Sequence, residues 1–445
     1  MDIFGLIPSF GNILYTVGAF VLALSVIVAV HEFGHYIVGR WSGIHAEVFS
    51  LGFGPVLLSR EDRHGTRWQI AALPFGGYVK FLGDANAASG LDPQLLEDLD
   101  ADTLRHTMHG APLWARAATV AAGPVFNFIL SIAVFAVLLF FRGEAIEPPT
   151  IDRLKTLPAV AMGLEPGDEI TAIAGQPTSD YAALYEAIAL LPPQPVIDYT
   201  IRRDGQEMVV QGPYPFPPVI DALQPGSAAM DAGLEIGDVI LSVDGMPVTA
   251  FRQLQDIVRD SGGAEMLIKV WRDGEELDFS LAPRRVDLPR PEGGFETRLL
   301  IGMTGGLLFT PETQTPGVLA SIEAGGQQVV YIMQSSLSGI YHMITGAISS
   351  CNLSGPLGIA ETSGAMASQG TQSFIWFIAV LSTAVGLMNL FPIPVLDGGH
   401  LVFHAYEAIV GKPPSDRVLS VFMSLGLAVI LTFMVFALGN DILCP

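Results

Sequence analysis

The chain has 445 residues, half of them apolar and only 15% charged, where soluble domains average about 25% charged. The length allows about three domains, and the composition excludes intrinsic disorder and a small disulfide scaffold. A formal net charge of −22 argues against nucleic acid as a partner.

Residues 1–41 form the first predicted element. Ile3–Val30 carries no Asp, Glu, Lys or Arg, and Ile13–Val30 is densely apolar, which predicts a membrane helix. No positive region precedes it and no small-residue cleavage site follows, so it does not read as a cleaved signal peptide. At its inner end stands His31-Glu32-Phe33-Gly34-His35. Two His four apart share one helix face and suit one metal. Glu32 beside them suits a general base for a metal-activated water. Ionisable residues inside a membrane helix are costly, so function is their default reading.

Residues 42–111 follow as a cytoplasmic, membrane-associated β region with an acidic loop. Alternating, Gly-rich stretches from Val48 to Gly54 and Thr66 to Ile70 predict strands and hairpins beside the first helix. A sheet edge near a metal suits strand addition by an extended peptide, as a helix hides its carbonyls. The 84–110 segment is acidic through Asp92, Glu97, Asp98, Asp100 and Asp102 and matches nothing assignable.

The second membrane helix is expected at 112–142, where Ala117–Phe141 is uncharged. Residues 150–285 then read as soluble and repeated. Gly163-Leu164-Glu165-Pro166-Gly167-Asp168-Glu169-Ile170 recurs as Gly233-Leu234-Glu235-Ile236-Gly237-Asp238-Val239-Ile240, and Arg203-Asp204-Gly205 recurs as Arg272-Asp273-Gly274. The pattern resembles bacterial PDZ domains and predicts two units, 150–212 and 217–285. Such domains bind extended peptide ends at a sheet edge. Residues 286–370 are expected to hold linker strands and an amphipathic helix at the membrane surface. Its Val329–Ile348 stretch is interrupted by Gln334, Ser335, Ser336, Ser338, His342 and Thr345.

The third membrane helix is expected at 371–400 and the fourth at 415–440. Pro392 and Pro394 break the third helix, Gly398-Gly399 suits a tight turn, and Asp397 lies between. Non-helical backbone at membrane depth is tolerated where it lines a wet cavity.

Arginine and lysine set the orientation. Residues 1–39 and 299–411 contain neither. The segment 40–116 carries Arg40, Arg60, Arg63, Arg67, Lys80, Arg105 and Arg116, and Lys412 and Arg417 precede the last helix. Both regions are therefore cytoplasmic, and both termini and the repeated units lie outside. A catalytic zinc needs a third protein ligand. With four spans, Asp397 reaches the depth of His31 and His35, whereas a fifth span at 329–348 would strand it on the other side. His400 and His404 are also four apart, with Glu407 after them, but no acid directly follows His400, so a structural or supporting role is expected. His45, His64, His106 and His109 are read as solvated. Cys351 and Cys444 are the only cysteines, which speaks against a Cys-based zinc site or a disulfide framework.

Several motifs together carry a family resemblance. These are His-Glu-Phe-Gly-His in the first helix, Leu73-Pro74-Phe75-Gly76-Gly77-Tyr78-Val79-Lys80, Gly123-Pro124-Val125-Phe126-Asn127, Ser354-Gly355-Pro356-Leu357-Gly358, and Asn389 through Pro392 to Leu396-Asp397-Gly398-Gly399. With the PDZ-like pair between spans two and three, the chain resembles the site-2 proteases, the bacterial regulators of sigma-E protease above all. The likeness covers almost the whole length. It implies a polytopic α-helical membrane protein in the bacterial inner membrane, with four transmembrane helices. It implies a Zn2+ peptidase that cuts single-pass membrane proteins, typically anti-sigma factors already trimmed outside. It implies His31, His35 and Asp397 as zinc ligands, Glu32 as base, and substrate contacts at Asn389, Gly76, Gly77 and Tyr78. The competing readings are a PDZ-based membrane scaffold with an inactive metal site, and a transporter with broken helices. The intact Glu32 and Asp397 speak against the first. The second predicts inverted repeats among the spans, and the sequence shows none.

Overall fold

A computed structural model describes residues 10–84, 100–158, 163–290 and 294–444. The chain divides into two compact units. One gathers the residues up to Leu138, Val318–Ile344 and those from Ser350 onward; the other holds Leu139–Gly317 with Thr345–Ser349.

The first unit is helical around a small sheet. Its longer helices are α1 (Phe10–Trp41), α2 (Leu113–Arg142), α3 (Val318–Ile344), α4 (Pro356–Ser368), α5 (Thr371–Asn389), α6 (Asp397–Val410) and α7 (Asp416–Leu443). Ile13–Trp41, Leu113–Arg142, Thr371–Asn389 and Arg417–Leu443 are long and apolar enough to cross a membrane. Helices associate closely in such settings where small residues let backbones approach. Gly34 does this for α1 on α2, since a Cβ there would stand 2.5 Å from the Ala122 carbonyl oxygen. Ala23 and Ile27 of α1 pack on Ile378 of α5, and Phe135 of α2 packs on Val329 of α3 and Ala379 of α5.

Three expectations are refined here. The third span is not one element to residue 400: α5 stops at Asn389, the Pro392–Pro394 stretch is non-helical, and Asp397 opens α6. Gly398 and Gly399 make no left-handed turn. They lie in the first turn of α6, where a Cβ would come within 2.3 Å of the Leu390 and Ile393 carbonyl oxygens respectively. The amphipathic stretch is one continuous helix beginning at Val318, and its Ser321, Gly325 and Val329 are buried. A Cβ at Gly325 would stand 2.6 Å from the Ile132 carbonyl oxygen of α2.

The two cysteines do join, as a single disulfide Cys351–Cys444. It ties the end of α7 to the chain before α4. Asp441 reinforces the tie by accepting from the amides of Gly355 (2.7 Å) and Leu357 (3.0 Å), and Asn440 Nδ2 donates to the Ser350 carbonyl at 2.8 Å.

The expected β region is β1 (Ala46–Glu61) and β2 (Arg67–Phe81). The two long strands fold over one another. Val48–Leu51 lies beside Gly77–Lys80 on one side and Arg67–Ile70 on the other. Tyr36, Phe49, Val79, Phe81 and Ala115 form the core beneath, while Phe53, Val56, Leu57, Leu58 and Leu73 stay exposed. Asp92, Glu97 and Asp98 of the acidic segment lie outside the described residues; Asp100 caps the short helix Ala101–Leu104 by accepting from the Thr103 amide.

The second unit bears out the repeat. Two four-stranded sheets share one strand order: 176–177, 169–173, 197–203, 206–212 in one, and 246–247, 239–243, 266–272, 275–281 in the other. The repeated Gly-Asp and Arg-Asp-Gly motifs serve a single bond. Arg203 grips buried Asp168 at 2.7 and 2.8 Å, and Arg272 grips buried Asp238 at 2.6 and 2.7 Å. Asp204-Gly205 and Asp273-Gly274 both take positive φ, the backbone that a two-residue hairpin requires. Residues 301–311 are not merely linker. Met303–Gly305 pairs with Ile220–Leu223 and Phe309–Pro311 pairs with Ile151–Leu154. Ile301 buries in one core, and Leu307, Leu308 and Phe309 bury in the other.

Candidate metal centre

His31 and His35 occupy adjacent turns of α1 on the face toward α2. Their Nε2 atoms lie 3.2 Å apart, and Asp397 Oδ2 lies 3.2 Å from His31 Nε2 and 3.6 Å from His35 Nε2. A tetrahedral zinc with ordinary bond lengths sets its ligand atoms about 3.3 Å apart, so the three atoms suit one ion. The donor set is right as well, two imidazoles and a carboxylate. Asp397 Oδ2 is buried with no hydrogen-bond partner, as expected of an atom that serves a metal. Among the described residues this is the one such cluster.

The chain around the cluster explains its shape. Gly123 of α2 lies against it: a Cβ there would meet His35 Nε2 at 2.3 Å and His31 Cε1 at 2.8 Å. His35 Nδ1 donates to the Thr119 carbonyl at 2.8 Å, which leaves Nε2 free to ligate. The turn bearing Asp397 is backed by α7, where a Cβ at Gly426 would touch Pro394 and Val395 at 3.1 Å.

Glu32 lies between the cluster and the sheet, close enough to His35 and Asp397 to feel their charges. A Cβ at Gly77 would lie 3.2 Å from its Cγ, and the Val79 amide faces its carboxylate. Among the described residues, 77–81 pair only with 46–51, so the strand's other edge, where Val79 faces Glu32, has no strand partner there. Gly76 holds a φ of 126°. Tyr78 stacks on Phe53 at 5.9 Å, and its hydroxyl accepts from Gln69. Asn389 is the last residue of α5.

The rival histidines do not join the metal cluster. Glu407 takes a two-pronged bond from Arg116, at 2.6 and 3.0 Å. His109 stands 3.6 Å from the fully buried carboxylate of Asp84, and His106 Nδ1 donates to the Gly43 carbonyl at 2.6 Å. His64 meets Arg40. These residues hold protein partners and are not simply solvated. Sequence reasoning gave no role to Thr119, Gly123 or Asn127. The available signal was a polar Asn inside a 25-residue uncharged run.

The model of peptidase family M50 matches residues 19–433. The chain belongs to peptidase family M50. A candidate zinc metalloprotease of Rhizobium meliloti is 35% identical over 432 residues, with 97% of each chain covered. The regulator of sigma-E protease of Salmonella typhimurium is 32% identical over 460 aligned positions, covering 97% of this chain and 99% of its own. Among solved structures, the PDZ domain of an SdrC-like protein from Listeria monocytogenes covers 22% of this chain at 18% identity, with a TM-score of 0.17, and carries no argument at that score. The likeness to site-2 proteases therefore holds, and this M50 peptidase is a zinc-dependent metalloprotease.

Proposed function

We propose that the chain is an intramembrane endopeptidase of the bacterial inner membrane, with His31, His35 and Asp397 as zinc ligands and Glu32 as general base. The observation that carries this reading is the convergence of three ligand atoms: two imidazole nitrogens on a helix apolar enough to span a bilayer, and an orphaned buried carboxylate oxygen at the start of α6. When bound, zinc supplies the Lewis acid that polarises the scissile carbonyl and acidifies the attacking water. Glu32 takes that water's proton and delivers it to the leaving amine. The open edge at 77–81 holds the substrate extended by strand addition, with Gly76, Gly77 and Tyr78 along it and Asn389 contacting its backbone.

The topology follows the arginines and lysines: residues 40–116 and 411–417 cytoplasmic, both termini and the PDZ-like pair periplasmic. The disulfide at the end of α7 supports this, since disulfides persist in oxidising compartments. The substrate is a single-pass membrane protein, an anti-sigma factor already cut outside, by analogy with the sigma-E regulators. The PDZ-like pair acts as a substrate filter. Its second half carries a cavity of about 1090 Å³ lined by Leu254 and Val258 of the helix Phe251–Asp260 and by residues 296–304.

One zinc per chain is the expected metal content. Asp397→Asn should weaken zinc by more than the ~10- to 100-fold typical of an outer partner and abolish peptide cleavage. Full zinc and full activity in that variant would remove Asp397 from the ligand set and bring His400 or His404 forward.

A further inference from the structure

Asn127 lies on α2, one turn beyond Gly123, and its side chain is fully buried. The side-chain amide stands 3.2 Å from His31 Nδ1. With the amide nitrogen facing the ring, Asn127 Oδ1 is a buried acceptor without a partner. Both facts resolve together. If the amide nitrogen donates to Nδ1, the ring proton sits on Nε2 and points an N–H at the metal position, so the ring cannot ligate there. If the amide is turned over, Oδ1 accepts the Nδ1 proton, no oxygen is orphaned, and Nε2 offers a lone pair beside Asp397. Amide oxygen and nitrogen are assigned from the hydrogen-bond network, and this network selects the second arrangement.

We propose that Asn127 is the positioning residue of the metal centre: its side-chain oxygen fixes the tautomer and orientation of His31. The inference rests on His31 being a ligand. The two imidazoles differ in how they are held. His35 relies on the Thr119 main-chain carbonyl, which no substitution of residue 119 removes. His31 relies on a side chain.

Asn127 is itself well anchored. Its main-chain oxygen lies 2.9 Å from Ser131 Oγ on α2 and 3.0 Å from Ser382 Oγ on α5, and Ser131 Oγ is also 2.8 Å from the Ala379 carbonyl. Gly386 of α5 leaves room for it, since a Cβ there would touch the Asn127 Cβ at 3.2 Å. The contact thus holds the ring against the seam between α2 and α5, the helix that leads to Asp397.

The test compares zinc affinity in the purified full-length protein, by chelator competition, with the cobalt-substituted absorption spectrum as a second readout. Asn127→Leu keeps the volume and removes the acceptor; it should lower affinity by about 10- to 100-fold, the usual cost of losing such a partner, and should perturb the cobalt spectrum. Asn127→Asp keeps an acceptor and should retain affinity within a few-fold of wild type. His31→Ala run alongside separates the two readings. If His31→Ala keeps full zinc affinity, the ligand assignment fails. If His31→Ala loses zinc while folded Asn127→Leu binds as wild type, the assignment stands and the role of Asn127 is overturned. Equal loss in folded Asn127→Leu and Asn127→Asp would make the residue a packing element only. Should Asn127→Leu not fold, a tenfold loss in folded Asn127→Asp alone contradicts the proposal.

Discussion

Asp62 organises the turn between β1 and β2 through four donors. The His64 and Thr66 amides reach Oδ1 at 2.8 and 3.0 Å, and the Tyr36 hydroxyl and Trp68 Nε1 both reach Oδ2 at 3.1 Å. Burial by itself raises the carboxyl; the bonds from Trp68, His64, Thr66 and Tyr36 outweigh it and bring Asp62 down to about 2. A folded value below the unfolded one of 3.8 means that this contribution is present above about pH 4 and is lost as pH falls toward 2. Asp62→Ala should destabilise the sheet by about 1–3 kcal/mol, because the buried Tyr36 hydroxyl loses its acceptor. Tryptophan-monitored unfolding in detergent at pH 7 checks this, and an unchanged midpoint would contradict it. The proposed ligands on α1, His31 and His35, were picked out in sequence, because two His four apart with a Glu between them on an apolar helix state a face and a chemistry at once. Asn127 was not legible as their partner, since a hydrogen bond between residues 96 apart leaves no local pattern.

At the scale of elements, the apolar runs served the long helices well and failed where geometry is set by close approach. The uncharged runs gave four span-length helices. Pro392 marked the end of α5, yet the restart at Asp397 carries no cap signal, because Leu396 at the cap position offers no side-chain bond. The repeat at an offset of about 70 residues gave both sheets of the second unit, because paired Asp–Arg bonds and left-handed hairpins need fixed residue types. Linker strands are expected within 286–370, but not that those at 303–311 pair back into the second unit's two cores. These strands are three residues each and pair with partners at least 80 positions earlier, and short isolated strands have too few residues to show alternation.

Those strands decide how the molecule as a whole can be dissected. Removing 150–285 alone would strip Ile301, Leu308 and Phe309 of the cores they fill and leave apolar surface exposed. The deletion that respects the fold removes 143–317. It should retain zinc and cleavage of a short membrane substrate while admitting substrates with bulky outer domains, as expected of a filter. Zinc retained with every cleavage lost would show that this unit takes part in catalysis.

The central claim is that the helix pair bearing His31, His35 and Asp397 performs peptide hydrolysis with Glu32 as base. Cleavage of a model transmembrane helix by wild type and by Glu32→Gln, with zinc content measured on both, tests it most directly. The account predicts equal zinc in the two proteins and turnover lower by about 10²-fold or more in the variant, the contribution of a positioned acid–base group. Near-normal turnover by zinc-loaded Glu32→Gln would contradict it.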